Sequence, residues 1–131
     1  VTKSGSGQPR LIGNLVAKPV QLYKPYELST FDFVVGFENH GGRTYLGKVV
    51  PFGKVLRGFG NNGEDGTEGA VFHNCIATYS HGPFLPKNPH IADYLLKTAL
   101  EVKYKKEIKL ESLDDTLEWQ AHHYMLKKLG L

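Results

Sequence analysis

The alternation of apolar and polar positions predicts a strand-rich first part of the chain. The polar start VTKSGSGQP predicts a loop, and Leu11–Val20 then predicts a strand that ends at Pro19. Phe31–His40 is apolar at its centre, which is typical of a largely buried strand. Pro25 marks a turn, Gly41-Gly42 is a hairpin signal, and RTYLGKVV and FGKVLRGFG predict short further strands. Strands joined by such short turns predict an antiparallel or mixed sheet.

A glycine-rich polar loop, Gly60–Gly69, comes before an apolar run. Ala70–Tyr79 is rich in β-branched and aromatic residues, which predicts one strand, and the turn-forming residues from Ser80 onward end it. His81 therefore follows the carboxyl end of a predicted buried strand, where α/β enzymes place catalytic groups. The alternative is a histidine in a surface turn.

The last third of the chain changes to a helical period. Asn88 is typical of an N-cap with Pro89 at the first helical position. Apolar residues then recur at spacings of 3 and 4, at Ile91, Leu95, Ala99 and Val102. Leu113-Asp114-Asp115 predicts the start of a second helix. The inner face of that helix would carry Leu117, Ala121, Tyr124, Met125 and Leu129.

Composition and charge narrow the class of protein. The 131 residues, 40% hydrophobic and 22% charged, suit one globular domain. The net charge of +3 is mildly basic, and the lysines from 103 to 109 have glutamates beside them, which favours a solvated helix face over a nucleic-acid surface. No apolar run approaches the ~20 residues that span a bilayer, so no membrane insertion is expected. The single cysteine, Cys75, excludes an internal disulfide and fits a reducing compartment such as the cytoplasm.

Three stretches of the chain carry a family resemblance. They are RLIGN at Arg10–Asn14, GFENHGGRTYL at Gly36–Leu46, and the segment Gly58–Pro86 with its TYSHGP. Together they resemble the C-terminal half of class I glutamine amidotransferases of the cobyric-acid-synthase-like branch. The resemblance implies an α/β fold, the C-terminal part of a three-layer α/β/α domain with a mixed sheet and two C-terminal helices. Residues 1–131 would then be the C-terminal portion of a single glutaminase domain.

The resemblance also implies which residues take part in glutamine hydrolysis. His81 matches the family's catalytic base, which activates a thiol and then protonates the departing ammonia. Arg10 matches the arginine that binds the α-carboxylate of glutamine, a role that suits a two-pronged guanidinium. A solvent-facing loop arginine is the alternative for Arg10. No cofactor is implied.

The thiol nucleophile is missing from this stretch of sequence. Family members carry it in a Gly-x-Cys-Gly-Gly elbow upstream of the arginine motif, and no such elbow occurs here. Cys75 lies inside the predicted strand without flanking glycines, so we expect it to be a small buried hydrophobe. The chain begins with Val1 rather than methionine, which suggests a piece of a longer protein. Either the upstream part holds the elbow or this form cannot hydrolyse glutamine, and the chain alone is expected to be inactive.

The third member of the catalytic group is left open. Many class I glutamine amidotransferases have a glutamate two residues after the histidine, where this chain has Pro83. Glu38 is a candidate orienting acid for His81 if its strand lies alongside. The alternatives are an ordinary strand-end carboxylate and a cysteine–histidine dyad. The oxygen-rich loop Gly60–Gly69 does not match the EF-hand pattern, so we expect no metal site but a shaped loop near the active site.

The resemblance implies a glutaminase subunit that supplies ammonia to a partner. Within the branch, the likeness is to the glutaminases that form a heterodimer with a Mur-ligase-like, ATP-dependent synthetase. Such a pair amidates the D-glutamate of lipid II in peptidoglycan biosynthesis. A cobyrinate-type amidotransferase is the related alternative. A non-catalytic binding or scaffold fragment is the alternative of a different class, and a thiol elbow upstream would discriminate between it and an enzyme.

Overall fold

A computed structural model describes residues 2–4, 7–20, 22 and 33–131, with backbone only for residues 2–4. Short strands come first and helices last. The strands are β1 (Thr2–Ser4), β2 (Leu11–Pro19), β3 (Val34–His40), β4 (Gly42–Thr44), β5 (Gly53–Arg57), β6 (Thr67–Glu68), β7 (Ala70–Phe72) and β8 (Cys75–Ala77), and the helices are α1 (Pro89–Tyr104) and α2 (Thr116–Lys128). The expected α/β fold class is confirmed. Pro25 and the first two residues of the predicted strand 31–40 lie outside the described residues.

The main sheet is antiparallel and has the strand order β3-β2-β5-β6. The register of β2 and β3 sets Leu11 opposite His40 and Gly13 opposite Glu38. Side chains alternate between the two faces of a strand, so every second residue shares a face. One face is largely buried and carries Leu11, Leu15, Ala17, Val34, Glu38 and His40. The other face is mostly exposed along Ile12, Asn14, Phe37 and Asn39.

The residues around Gly41-Gly42 do not form the predicted hairpin. β3 pairs with β2, whereas β4 pairs with β1 in a separate two-stranded sheet. Thr2–Ser4 is therefore a strand, although the polar start of the chain predicted a loop. The long apolar match between β2 and β3 outweighs the local turn signal, because it buries one complete face of both strands.

The run Ala70–Tyr79 is a hairpin rather than the single strand predicted from its composition. β7 and β8 pair antiparallel, with Phe72 opposite Cys75, and His73 and Asn74 form the turn. His73 has a φ of 53°, in the left-handed region that such tight hairpin turns require. The turn contains neither glycine nor proline, so local sequence signals did not predict it. Cys75 is exposed as a consequence, so its expected burial was wrong.

Helix α1 begins where the sequence predicted and packs on one end of the buried sheet face. Its residues Ile91 and Tyr94 join the core that also contains Ala17, Leu22, Val34 and Phe52. The predicted inner face holds only for its first turns, because Ala99 and Val102 are exposed. Asn88 is the N-cap residue, but its side chain does not cap the helix. It anchors the helix start to the edge of β3 instead.

Helix α2 buries a different face from the one that its apolar spacing predicted. Leu117 and Tyr124 are 74% and 65% exposed, whereas His122 is buried and its Nδ1 lies 2.8 Å from the carbonyl of Lys87. Trp119 stacks on His90 of α1, with ring centroids 5.3 Å apart. A histidine–tryptophan contact thus replaces the expected aliphatic stripe. Among the described residues, neither helix combines the length and the apolar character needed to cross a bilayer.

Candidate active site

Two of the residues that the sequence singled out, Arg10 and His81, lie along the free edge of β3. Alternate residues of a strand direct their backbone groups to the same side, away from the neighbouring strand. At Val35 these groups are bound by the side chain of Asn88, with N–H···Oδ1 and Nδ2–H···O distances of 2.8 Å. At Phe37 they are bound by the backbone of His81. At Asn39 the carbonyl oxygen accepts a hydrogen bond from Arg10.

His81 is held on β3 as a one-residue extension of the sheet. The N–H of His81 donates to the carbonyl of Phe37 at 2.8 Å, and the N–H of Phe37 donates to the carbonyl of His81 at 3.2 Å. Paired residues of an antiparallel bridge project to the same face, and the two rings lie 5.6 Å apart between centroids. The imidazole of His81 is exposed. A histidine with a fixed backbone and an accessible ring is suited to proton transfer.

Arg10 lies on the same edge, and Asn39 fixes the direction of its guanidinium. Nε donates to Oδ1 of Asn39 at 2.9 Å, and Nη2 donates to the carbonyl oxygen of Asn39 at 2.8 Å. Nη1 has no hydrogen-bond partner in the described part of the chain. The side chain is exposed, so the remaining N–H groups are open to a carboxylate from solution.

The structure therefore brings His81 and Arg10 to one strand edge. Their contact residues, Phe37 and Asn39, are two positions apart, which corresponds to about 7 Å along a strand. A small molecule could contact both Arg10 and His81 if it has a carboxylate at one end and a carbonyl group at the other, joined by a short aliphatic chain. Sequence reasoning found His81 and Arg10 but missed Asn39, because only the strand register shows that Asn39 holds the arginine.

Glu38 is fully buried, and its carboxylate supports the glycine-rich loop. Its oxygens accept hydrogen bonds from the N–H of Phe59 at 2.5 Å and the N–H of Gly60 at 2.9 Å. Oε2 also lies 3.4 Å from Nε2 of His40. Within the described residues no hydrogen bond joins Glu38 to His81, which projects from the other face of β3. The direct orienting role of Glu38 stays a prediction that this geometry does not support.

The glycine-rich loop is held by its own polar side chains. Oδ1 of Asn62 accepts from the N–H groups of Glu64 and Asp65, and Oδ1 of Asp65 accepts from the N–H and the hydroxyl of Thr67. Burial raises the pKa of Asp65, but the hydrogen bonds from Thr67 and Asn62 outweigh this and leave the pKa lowered. The side-chain oxygens of Asn62 and Asp65 therefore accept hydrogen bonds from within the loop. Across the described ranges, no group of three or more acidic, histidine or cysteine side chains could hold a metal ion.

A second buried carboxylate, Glu68, fixes the chain just before His81. Oε1 accepts from the hydroxyl of Thr78 at 2.5 Å and from the N–H of Tyr79 at 2.9 Å. Oε2 is buried and has no hydrogen-bond partner among the residues that the structure describes. Burial raises the pKa of Glu68, and the nearby charge of Glu38 acts in the same direction. Nothing in the sequence marked Glu68, since the loop glycines around it suggested only a turn.

Comparison with known families agrees with this arrangement of motifs. Residues 3–89 match the CobB/CobQ-like glutamine amidotransferase domain. That match includes Arg10, Glu38 and His81 and covers more than half of the chain. The chain belongs to this family.

Relatives of known name share much of the sequence. The chain is 46% identical over 104 residues to the lipid II isoglutaminyl synthase (glutamine-hydrolyzing) subunit GatD of Staphylococcus aureus, a match of 78% of this chain and 41% of that protein. It is 45% identical over 83 residues to the subunit of the same name from Streptococcus pneumoniae, covering 63% of this chain and 32% of that protein. A probable cobyric acid synthase of Methanothermobacter thermautotrophicus is 51% identical over 51 residues, 39% of this chain and 10% of its own length. The chain thus spans less than half the length of these relatives.

Proposed function

We propose that this chain is the C-terminal part of a glutaminase that releases ammonia from glutamine for a partner synthetase. The shared edge of β3 carries the proposal, because it holds an exposed histidine and an oriented arginine at the spacing of a small amino acid. Family membership supports the same chemistry. The nucleophile would come from a thiol elbow outside these residues, so the 131-residue chain alone is expected to be inactive.

The chemistry of the two residues follows from their surroundings. Arg10 binds the α-carboxylate of glutamine with the donors that Asn39 leaves free. This places the side-chain amide toward Phe37 and the ring of His81. His81 takes the proton of the thiol, which attacks the amide carbon, and then gives a proton to the departing ammonia. We propose that a dyad of cysteine and histidine carries out both transfers, because Pro83 occupies the position of the usual glutamate.

The names of the relatives favour one amide acceptor. The GatD subunits belong to lipid II isoglutaminyl synthases, and they combine high identity with a long match, whereas the cobyric acid synthases match this chain either over a short stretch or at lower identity. We therefore infer a cytoplasmic heterodimer with a Mur-ligase-like, ATP-dependent synthetase that amidates the D-glutamate of lipid II in cell wall biogenesis, where it would support cell shape. A cobyrinate-type glutaminase is the second candidate.

Ammonia release from glutamine by the intact protein tests this proposal. His81→Ala should lower turnover by about 100- to 10,000-fold, the usual effect of losing a positioned base. His73→Asn is the matched control, since His73 lies in an exposed turn and asparagine tolerates its positive φ. Turnover of the His81 variant above roughly a tenth of the parent rate would contradict the assignment, because even the smallest expected loss is larger. Glutamine hydrolysis by the 131-residue chain alone would contradict the need for an outside thiol.

A further inference from the structure

Two aromatic rings connect Glu38 with His81, although within the described residues no hydrogen bond joins Glu38 to His81 directly. The first ring belongs to His40, which shares the buried face of β3 with Glu38. Nδ1 of His40 lies 2.9 Å from the carbonyl oxygen of Gly42, and Nε2 lies 3.4 Å from the carboxylate of Glu38. A carbonyl oxygen can only accept, so Nδ1 carries a proton. Contacts at both nitrogens fix the plane of the ring.

The second ring belongs to Tyr79, which lies flat on His40. Their centroids are 3.7 Å apart and the interplanar angle is 13°. The hydroxyl of Tyr79 is 2.8 Å from Oγ1 of Thr44, and its backbone N–H donates to Glu68. Tyr79 is thus held at its ring, its hydroxyl and its backbone. It precedes the proposed catalytic histidine by two residues.

The chain from Tyr79 to His81 is consequently attached to β3 at two points, one on the buried face and one at the free edge. Tyr79 is attached through the ring of His40 on the buried face, and His81 is attached through the backbone of Phe37. A rotation of the His40 ring would move Tyr79, and the short connection would transmit this movement to His81. Errors of about 1 Å in the placement of a catalytic group can reduce turnover about a hundredfold.

We propose that Glu38, His40 and Tyr79 are positioning residues that act in series on His81. Glu38 sets the ring of His40, His40 sets the ring of Tyr79, and Tyr79 sets where the His81 backbone meets β3. This inference rests on the proposed glutaminase function. It gives Glu38 an influence on His81 without the direct contact that the sequence suggested.

Steady-state kinetics of the intact protein with glutamine test the series. Tyr79→Leu removes the stacked ring and should lower kcat about tenfold to a hundredfold. The KM for glutamine should change less than about twofold, because Arg10 is held by Asn39, outside the series. The conservative Tyr79→Phe keeps the ring on His40 and should restore most of kcat. Tyr124→Leu, at an exposed tyrosine of α2, is the control for loss of an aromatic ring.

A double-mutant cycle separates action in series from direct contact. If Glu38 acts through Tyr79, the effect of Glu38→Gln on kcat should largely vanish in a Tyr79→Leu background. Independent, multiplicative effects would overturn the proposal, as would an unchanged kcat in Tyr79→Leu. Should Tyr79→Leu fail to fold, His40→Phe replaces it in the cycle, because phenylalanine keeps a ring under Tyr79 and loses both nitrogen contacts. A normal kcat of His81→Ala would contradict the proposed function itself. If His81→Ala loses activity but the effects of Glu38→Gln and Tyr79→Leu on kcat are independent, only the action in series is contradicted.

Discussion

Gly36 has no room for a side chain, because the backbone of His81 lies against it. A Cβ added at Gly36 would lie 2.1 Å from Oγ of Ser80 and 2.6 Å from the carbonyl oxygen of His81. The same carbonyl oxygen accepts the hydrogen bond from Phe37 that fixes the histidine. Glycine at this position thus lets Ser80 and His81 approach β3 closely enough for His81 to pair with it.

Gly36→Ala should therefore displace His81 and lower both stability and turnover. We expect a loss of about 1–3 kcal/mol in the free energy of unfolding, as for other overpacked sites, measured by urea denaturation. Gly13→Ala is the matched control, because a Cβ at Gly13 would meet only Cε2 of Phe59 at 3.8 Å. Gly13 lies in the adjacent strand, directly opposite Glu38. Equal effects of the two substitutions on ammonia release would refute the role given to Gly36.

Asn88→Ala should detach the start of α1 from the sheet. The substitution leaves the N–H and C=O of buried Val35 without partners and removes a further bond to the carbonyl of Phe84. Unsatisfied buried groups cost about 1–3 kcal/mol each, so we expect the free energy of unfolding to fall by at least about 2 kcal/mol. Asn14→Ala, at an exposed position of β2, should change it by less than about 0.5 kcal/mol. A small effect at Asn88 would mean that water replaces its side chain at the strand edge.

Glu68 should make the protein less stable as the pH rises from 4.5 through the raised pKa of its carboxyl group. Burial raises the pKa of Glu68 from its ordinary value of 4.5, so between 4.5 and the raised pKa the folded protein keeps a proton that the unfolded chain releases. The free energy of unfolding then falls with rising pH through this window, and the whole loss is present above it. Glu68→Gln cannot release this proton, and its unfolding free energy should depend less on pH. Urea unfolding at a series of pH values, with the exposed Glu111→Gln as control, measures the difference. Parallel profiles for parent and Glu68 variant would contradict the raised pKa.

The sequence singled out two residues that lie at one strand edge, but it did not show how they are held there. His81 and Arg10 stood out because they lie in compact motifs, RLIGN and TYSHGP, that resemble those of a glutamine amidotransferase family. Asn39 holds Arg10, and Tyr79 contacts His40 two residues before His81. These contacts depend on which strands pair and on the face to which each residue projects. Those relations are set by long-range register, which local patterns do not contain.

The lack of long-range information in local sequence patterns also explains where the predicted fold was wrong. The apolar spacing of α2 favoured Leu117 as an inner residue, but a contact with α1 buries His122 instead. The hairpin at His73 was missed because its turn residues lack the glycine that usually marks positive φ. β2 was predicted correctly, and so was the start of α1, since a proline and the apolar run define those boundaries locally.

Arg10→Lys should weaken glutamine binding more than it slows the chemical step. Lysine keeps the positive charge but cannot bind Asn39 at two points and a carboxylate at the same time. Loss of one charge-assisted hydrogen bond corresponds to about 1.5–3 kcal/mol, or a roughly tenfold to hundredfold rise in the KM for glutamine. Arg57→Lys is the control, because Arg57 is exposed and, within the described parts of the chain, its side chain donates only to the carbonyl of Leu56.

The nitrogen source distinguishes a binding defect of Arg10→Lys from a structural one. With the synthetase partner present, ammonium salt supplies ammonia directly and does not require the carboxylate to be bound. Amide formation by the Arg10 variant should therefore be impaired with glutamine and normal with ammonium. Equal impairment with both sources would place Arg10 in the fold or the subunit contact, and Asn39 would then hold it for a structural reason.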